Sequence, residues 1–528
     1  MDAFRHKTQV LVIGSGLAGS TAALTLADAG IHVTLLTADD APDKGNTALA
    51  QGGIVYRAED EVPGELDREI YTAGWKHNNR RAVRHLVKRG PEAVEKVLLE
   101  RLGIEFAKRD DGAWDLIREG GHGKGRILHC ADYTGRAIMD NLARAVAESP
   151  NITLLTRRTA VDLLTSHHHS CSLDFKYQLT NQCCGAYVFN QELGQVETVL
   201  ADYTVLATGG IGQIYLHTTN TASSIGSGMV MAARAKAKTV NAEYVQFHPT
   251  ALYHRAPRKF LVSEAVRGAG AKLLNAKGEA FMKRYDSRAE LAPRDIVTRA
   301  IQEEMLASGD DCVFLDAANH VTRDIPTSFP TIMEKCREIG VDMTREPIPV
   351  VPAAHYFCGG ILTDVRGRTT LSRLYACGEC ACTGLHGANR LASTSLLEAL
   401  VWGLCAGQDL VGRMGKRSAL PSRLADAMPD WVNPGNVHNE DPALIAQDWS
   451  TLRHTMWNYV GISRTDARLR RAFDDMRSLD RHLHDFYHET PMSKALIDLF
   501  HGAYAAYIVT LASLRNPESK GCHYRTRQ

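Results

Sequence analysis

Three glycines are the residues of this chain whose type and spacing most plainly suit chemistry: Gly14, Gly16 and Gly19, in the run Gly14-Ser15-Gly16-Leu17-Ala18-Gly19. In a Gly-x-Gly-x-x-Gly turn each glycine has its own task. One makes a tight turn, one lets backbone approach a pyrophosphate, and one lets a helix pack closely on a strand. An anion there meets free N–H groups and the positive end of a helix dipole. The pattern does not choose between NAD and FAD. A second candidate is Cys377, Cys380 and Cys382 with His386, four zinc-ligand types within ten residues. A fourth ligand following so closely is not a usual structural-zinc spacing, and no metal is expected. The run His167 to His169 reads as a solvated loop tip rather than a metal site.

The glycine turn takes its meaning from the elements around it. Val10–Ile13 is an apolar strand, Leu17–Ala29 an Ala/Leu-rich helix stopped by Gly30, and Ile31–Leu36 a second strand. The acid expected at the end of that strand, where it would accept from ribose hydroxyls, is missing. Thr37 and Ala38 stand there, and Asp39 and Asp40 come slightly late, which leaves the contact to Thr37 or backbone. A second strand-to-glycine passage runs from Tyr203 to Gly212, after a stretch at 165–200, containing Cys183-Cys184, that reads as a surface excursion or hairpin.

From about 242 to 356 the texture changes. The pattern predicts a helix over Arg288–Leu306, with Pro293 in its first turn and Ile296, Val297, Ala300 and Ile301 on one face. Glycine-rich strand texture returns at 357–400. Later, Leu469, Ala472, Phe473, Met476, Leu479, Leu483 and Phe486 recur at bundle-helix spacing. The expected organisation is a discontinuous nucleotide-binding domain (1–241 and 357–426), an inserted capping domain (242–356) and a C-terminal helical domain (427–528). A net charge of +1 gives no global reason to expect nucleic acid or an anionic membrane as partner. The short polar segment Met1 to Thr8 lacks a secretory h-region, and no apolar run approaches the ~18 residues of a membrane span. A cytoplasmic protein is expected.

Further segments carry a resemblance. Gly45-Asn46-Thr47-Ala48-Leu49-Ala50-Gln51-Gly52-Gly53-Ile54, Ala207-Thr208-Gly209-Gly210 and Tyr375-Ala376-Cys377-Gly378-Glu379 resemble, in order, the flavin segments of the fumarate reductase/succinate dehydrogenase flavoprotein family. That resemblance implies a Rossmann-like α/β FAD-binding domain with an inserted α+β cap and a C-terminal helical bundle. It assigns FAD contacts to Gly14, Ser15, Gly16, Leu17, Ala18 and Gly19, to Thr37 and Ala38, to Gly45, Asn46, Thr47, Ala50, Gln51, Gly52 and Gly53, to Ala207, Thr208 and Gly209, and to Ser227. Glu379 would contact the ribose, and Ser395-Leu396 would lie by the isoalloxazine. Members that bind FAD covalently carry a His where Asn46 stands, and an amide cannot form that bond, so the FAD is expected to be non-covalent. Ser227, where relatives carry an acid, and Ala269, where they carry Glu, are departures.

Gln246-Phe247-His248-Pro249-Thr250, Ser263-Glu264-Ala265-Val266-Arg267-Gly268, Pro293-Arg294-Asp295, His355-Tyr356-Phe357-Cys358-Gly359-Gly360 and Gly387-Ala388-Asn389-Arg390-Leu391-Ala392 resemble this family's active site. A four-carbon dicarboxylate brings two anions that must be desolvated beside a flat flavin, and fork-shaped arginines pair carboxylates bidentately. The resemblance therefore implies Arg390 and His355 at one carboxylate and His248 and Ser263 at the other. Arg294 would transfer the proton, with Glu264 and Arg267 relaying it. Arg118-Glu119-Gly120-Gly121-His122 is similar to the L-aspartate-oxidising branch. One ammonium separates aspartate from succinate, and Glu119 would be its charge-assisted partner. The implied reaction is oxidation of L-aspartate to iminoaspartate with oxygen or fumarate as acceptor, feeding quinolinate synthase and NAD biosynthesis. The competing readings are a soluble fumarate reductase and a catalytically inactive FAD-binding partner protein.

Overall fold

The computed structural model describes residues 4–255, 258–322, 324–414, 419–438 and 441–526. The chain opens with β1 (Arg5–Ile13), α1 (Leu17–Asp28) and β2 (Val33–Leu36). There follow β3 (Ile152–Leu155), β4 (Arg158–Thr165), β5 (Cys183–Asn190), β6 (Gln195–Leu206) and α2 (Ser227–Arg234). The inserted segment supplies β7 (Val245–Leu252), α3 (Glu264–Gly268), β8 (Lys272–Leu274), α4 (Arg294–Ser308), β9 (Val313–Asp316) and β10 (Ile348–Phe357). The chain then returns with β11 (Leu374–Ala376) and α5 (Thr394–Met414), and ends in α6 (Pro442–Val460), α7 (Asp466–Glu489) and α8 (Lys494–Arg515).

The main sheet has seven strands, ordered β3-β2-β1-β6-β5-β4, with β11 also on β6. Parallel pairing of β1 with β2 and β6, and of β6 with β11, brings the C-terminal ends of strands far apart in sequence to one edge, where ligands bind in such folds. Val10, Leu11, Val12 and Val205 are fully buried, as parallel strands covered on both faces require. α1 lies between this sheet and α5, and small residues allow the approach. A methyl on Gly403 would come within 2.5 Å of the Ala18 carbonyl, and one on Gly407 within 2.7 Å of Thr25 Cβ.

The cap is built on a second, antiparallel sheet, ordered β7-β10-β9-β8. Its core includes Val297, Ala300 and Ile301 of α4, the face marked by sequence periodicity. The helix itself starts later than expected. A short turn at Ala289–Leu291 precedes it, and Pro293, at ψ 147°, is the extended residue before the first helical one. Of the two forms expected for 165–200, a surface excursion or a hairpin, the structure shows the hairpin. β5 pairs antiparallel with β6 inside the main sheet, and Cys183 and Cys184 are buried. His169 is half-buried against Tyr187, and burial pushes its imidazole down to about 4.

The three C-terminal helices pack together, with Leu469, Ala472, Met476, Leu479 and Leu483 of α7 buried. α8 is long and apolar enough to cross a membrane by length and composition, and most of its apolar stretch is buried inside the protein.

The glycine turn gives the clearest mechanical prediction. Gly14 sits at φ 112°, where a side chain would be strained, and a methyl there would lie 2.2 Å from the Ala207 carbonyl oxygen. A methyl on Gly19 would lie 1.9 Å from the Gly14 carbonyl oxygen. Gly19→Ala should therefore destabilise the domain by about 1–3 kcal/mol through overpacking and reduce nucleotide content. Thermal unfolding and bound-nucleotide absorbance check this, and wild-type values for both would show that α1 shifts freely.

Candidate active site

A continuous cavity of about 1240 Å³ lies at the C-terminal edge of the main sheet. Every cofactor residue expected from the sequence, from Gly14 to Leu396, lines it except Gly19, which packs behind the turn. His248, Ser263, Glu264, Arg294, His355, Arg390 and Glu119 line the same cavity. Arg267 does not line it; it lies behind Glu264, almost wholly buried.

The dinucleotide part is shaped by backbone. α1 begins with no side-chain cap and no acid in its first turn, so its positive end is open to an anion. The Thr47 hydroxyl accepts from the Leu17 amide at 3.2 Å. A turn too tight for a side chain, an uncapped helix and a long cavity fit a dinucleotide such as FAD. The Asn46 amide donates to Ser224 Oγ and accepts from the Thr221 N–H, both at 2.8 Å, which fixes it in the cavity wall. Asp39, two residues beyond Thr37, also reaches the cavity, as do Lys494 and Asp498 from the start of α8. Burial raises the Asp39 carboxyl while Lys494 pulls it down. Sequence reading missed this contribution of α8, because nothing in a helix of ordinary apolar periodicity marks which end reaches the cavity.

Glu379 lines the cavity too, with its carboxylate turned to protein: Oε1 accepts from the Phe357 N–H at 2.9 Å. Burial pushes it up to about 7, against the pull of the Phe357 amide and Arg390.

The other part of the cavity gathers cations from three segments. Arg294, the first residue of α4, donates from Nε to Glu264 Oε2 at 2.7 Å. Glu264 opens α3, whose cap is Ser263: the Ser263 Oγ accepts from the Ala265 N–H at 3.1 Å, leaving the hydroxyl hydrogen free to donate. Burial would raise Glu264, but Arg294 and Arg267 outweigh it and bring it down to about 2. Burial would lower Arg294, but Glu264 and Glu119 hold it above its ordinary value. Arg267 stands 3.7 Å from Glu264 and donates to the Glu290 carbonyl at 2.7 Å. Arg267, Glu264 and Arg294 thus form one connected chain.

Arg390 is buried and donates to Gln246 Oε1 at 3.2 Å and Ser395 Oγ at 2.9 Å. His248 and His355 face each other with ring centroids 5.4 Å apart. Each uses Nδ1 on protein, His248 with the Thr250 backbone and His355 with Thr219 Oγ1, leaving Nε2 for a ligand. Burial, then the neighbouring arginines, hold both imidazoles well below the ordinary range, so both are neutral at pH 7. Glu119 accepts from Ser393 Oγ, and the next residue, Gly120, abuts Glu264. The arrangement can hold a carboxylate at each end and move a proton between them.

Cys377, Cys380, Cys382 and His386 do not converge on one point. Cys380 Sγ donates to the Leu206 carbonyl and Cys382 Sγ to that of Cys358. His386 instead meets Glu398 Oε2 at 2.9 Å and Tyr356 Oη at 3.1 Å. Among the described residues no group of three or more metal-ligating side chains gathers.

A dinucleotide cradle opening onto an arginine-lined pocket under an antiparallel cap defines an FAD-dependent oxidoreductase of the fumarate reductase flavoprotein class. Two family descriptions match the chain, an FAD binding domain over residues 9–396 and a fumarate reductase flavoprotein C-terminal region over 449–527. A solved structure of E. coli quinol fumarate reductase superposes with a TM-score of 0.87 at 27% identity, covering 99% of this chain and 92% of that one. L-aspartate oxidase 1 of Ralstonia nicotianae is 43% identical over 98% of this chain and 94% of its own length. The L-aspartate oxidase of Pseudomonas aeruginosa is 42% identical over 98% and 95%. The chain belongs to the L-aspartate oxidase family.

The raised Glu379 makes stability of the cofactor-free protein depend on pH. Unfolded, this carboxyl ionises at its ordinary 4.5; folded, it holds its proton to about 7. The folded state binds more protons in that window, so this group's contribution makes stability fall as pH rises from about 4.5 to about 7, with no further loss above. Glu379→Gln should match wild type near pH 4.5 and unfold at a higher temperature at pH 8. A gap that stays constant with pH would remove burial of this carboxylate as the cause.

Proposed function

We propose that this chain oxidises L-aspartate to iminoaspartate, with FAD held non-covalently and oxygen or fumarate as the final electron acceptor. The observation that carries this reading is the convergence of Arg294, Arg390, His248 and His355 on the cavity that also holds the dinucleotide turn, with Glu119 beside them. Non-covalent attachment is supported by Asn46, an amide engaged at both ends where a linking histidine would be needed. FAD supplies the hydride acceptor.

The protein's part is to bind, orient and move a proton. Arg390 and His355 receive one carboxylate, and His248 and Ser263 the other. Holding both ends fixes one C–H bond of the substrate, where alignment is worth most. The two histidines add donors without adding charge. The cations come from Arg294 and Arg390, while Arg267 stands behind Glu264 and completes the relay. Glu264 is ionised throughout the neutral range, so its bond to Arg294 persists and keeps the guanidinium charged. That state suits delivery of a proton to fumarate in the reductive direction. In aspartate oxidation a hydride leaves Cα and a proton leaves the ammonium. Glu119 lies in the substrate end of the cavity beside Arg294, accepts only from the neutral Ser393 hydroxyl among the described hydrogen bonds, and is available to pair with that ammonium. The product imine is suited to hand-over to quinolinate synthase as the first step towards NAD, and a cytoplasmic location fits that role.

The test is anaerobic addition of L-aspartate to the purified yellow protein. Bleaching of the flavin by L-aspartate and not by succinate supports the reading. Bleaching by succinate, with fumarate reduction but no aspartate-dependent peroxide, would favour a soluble fumarate reductase, and no bleaching at all an inactive FAD-binding protein. Glu119→Gln should lower kcat/KM for L-aspartate roughly 10- to 100-fold, the worth of a charge-assisted hydrogen bond, and leave fumarate reduction nearly intact. Equal loss of both activities argues against an ammonium contact. Arg294→Leu should nearly abolish turnover while FAD stays bound, and retained turnover would take Arg294 out of the mechanism.

A further inference from the structure

Arg390 is a buried cation, 6% exposed, yet among the described residues no carboxylate makes an ion pair with it. Its polar partners, Gln246 and Ser395, are neutral, and burial followed by repulsion from Arg294 lowers its hold on a proton. A cation in that setting needs compensation. A directly bonded carboxylate would supply it but would occupy the N–H donors that the substrate's carboxylate must use.

What the structure supplies instead is an aromatic face. The Arg390 guanidinium lies over the Tyr356 ring, 4.6 Å from its centroid. Tyr356 is not free-standing. Its hydroxyl donates to Glu398 Oε2 at 2.8 Å and meets His386 Nε2 at 3.1 Å. His386 Nε2 reaches the same Glu398 oxygen at 2.9 Å, and Thr383 Oγ1 donates to Oε1 at 2.6 Å. Glu398, in α5, is 2% exposed. Burial would raise its carboxyl, but His386, Thr383 and Tyr356 together hold it below the ordinary value, so it carries its charge at neutral pH. Tyr356, buried and next to that carboxylate, keeps its proton well above the usual phenol range. A neutral phenol donating to an anion has extra electron density on its ring, and a desolvated cation–π contact grows with that density.

We propose that Tyr356, polarised by the buried Glu398 carboxylate and its partners His386 and Thr383, is a positioning shelf for Arg390. It offsets the guanidinium charge through the ring face while leaving the N–H donors free for a substrate carboxylate. None of these residues touches the reacting carbons; Glu398 acts through Tyr356, and Tyr356 through Arg390. The inference rests on the reading of Arg390 as a dicarboxylate clamp. It adds a specific chemical reason for a tyrosine, rather than an acid, beside that arginine.

The experiment uses the FAD-loaded protein, with KM and kcat for L-aspartate and the Kd of succinate read from its perturbation of the flavin spectrum. Tyr356→Leu removes the shelf and should raise KM and the succinate Kd about tenfold, about 1.4 kcal/mol, with kcat falling less than threefold. That is the split expected when binding common to ground and transition states is lost. Glu398→Gln, similar in shape but uncharged, should raise both constants about threefold. Tyr356→Phe, keeping the ring and losing the hydroxyl, should match Glu398→Gln and not Tyr356→Leu. If Tyr356→Leu does not fold, the two milder variants carry the test. Wild-type KM and succinate Kd in the variants that fold overturn the shelf, even if those variants melt earlier or hold less FAD. A wild-type protein that neither oxidises L-aspartate nor binds succinate overturns the dicarboxylate reading and the shelf with it.

Discussion

Three arginines that repel one another, Arg267, Arg294 and Arg390, are held out of water around a single cavity, and much of the surrounding structure answers that constraint. Burial alone lowers Arg267 and Arg390, and each is further disfavoured by Arg294. The compensation is unequal. Glu264 pairs with Arg294 and stands near Arg267, whereas Arg390 has neutral partners and an aromatic ring. Positive potential is thereby left uncancelled at the place where an anionic ligand would sit. A buried cation without its own ion pair is costly to fold and useful to binding, because the ligand supplies the missing charge.

Keeping the two histidines neutral follows from the same field. Their imidazoles lie beside arginines in a dry environment, and adding protons there would add like charge. They can then act as hydrogen-bond donors of fixed geometry. Glu264 is ionised for the opposite reason, since the arginines that depress the histidines also depress it. One distribution of charge fixes three protonation states.

The cavity belongs to no single layer. The main sheet provides the glycine turn, the cap provides His248, Ser263, Glu264 and Arg294, and the returning strand and α5 region provide Glu379, Arg390 and Ser395. Even the C-terminal bundle reaches it, through Lys494 and Asp498. Position of the cap relative to the main sheet therefore sets the distance between the two ends of the pocket.

Much of this was legible in residue types. The βαβ opening could be placed because Gly14, Gly16 and Gly19 follow a buried strand, and the active-site segments could be ordered because their arginines and histidines sit in short distinctive runs. What could not be read depended on distant partners. The spacing of Cys377, Cys380, Cys382 and His386 spoke against zinc without saying what His386 does instead, and its partner, Glu398, lies in the helix that follows. Tyr356 lay inside a recognised run without a role, because its role comes from Arg390, 34 residues away in sequence. The stretch containing Cys183 and Cys184 read as a surface excursion or hairpin; it is a hairpin, but a buried one, since β5 lies between β4 and β6 and its Cys184, Tyr187 and Phe189 pack against Leu420, Leu424, Met428 and Leu496 of C-terminal segments that no local pattern announces.

By itself the sequence determined where the chain must turn tightly, which strands must be buried, and which side chains have the charge and shape to grip carboxylates. Those are local properties of glycine, of β-branched runs and of guanidinium groups. Only the tertiary structure decided which of those groups share a dielectric environment. Charge state, hydrogen-bond direction and the choice between metal ligand and hydrogen-bonded network are set by neighbours a few ångströms away in space and hundreds of residues away in the chain.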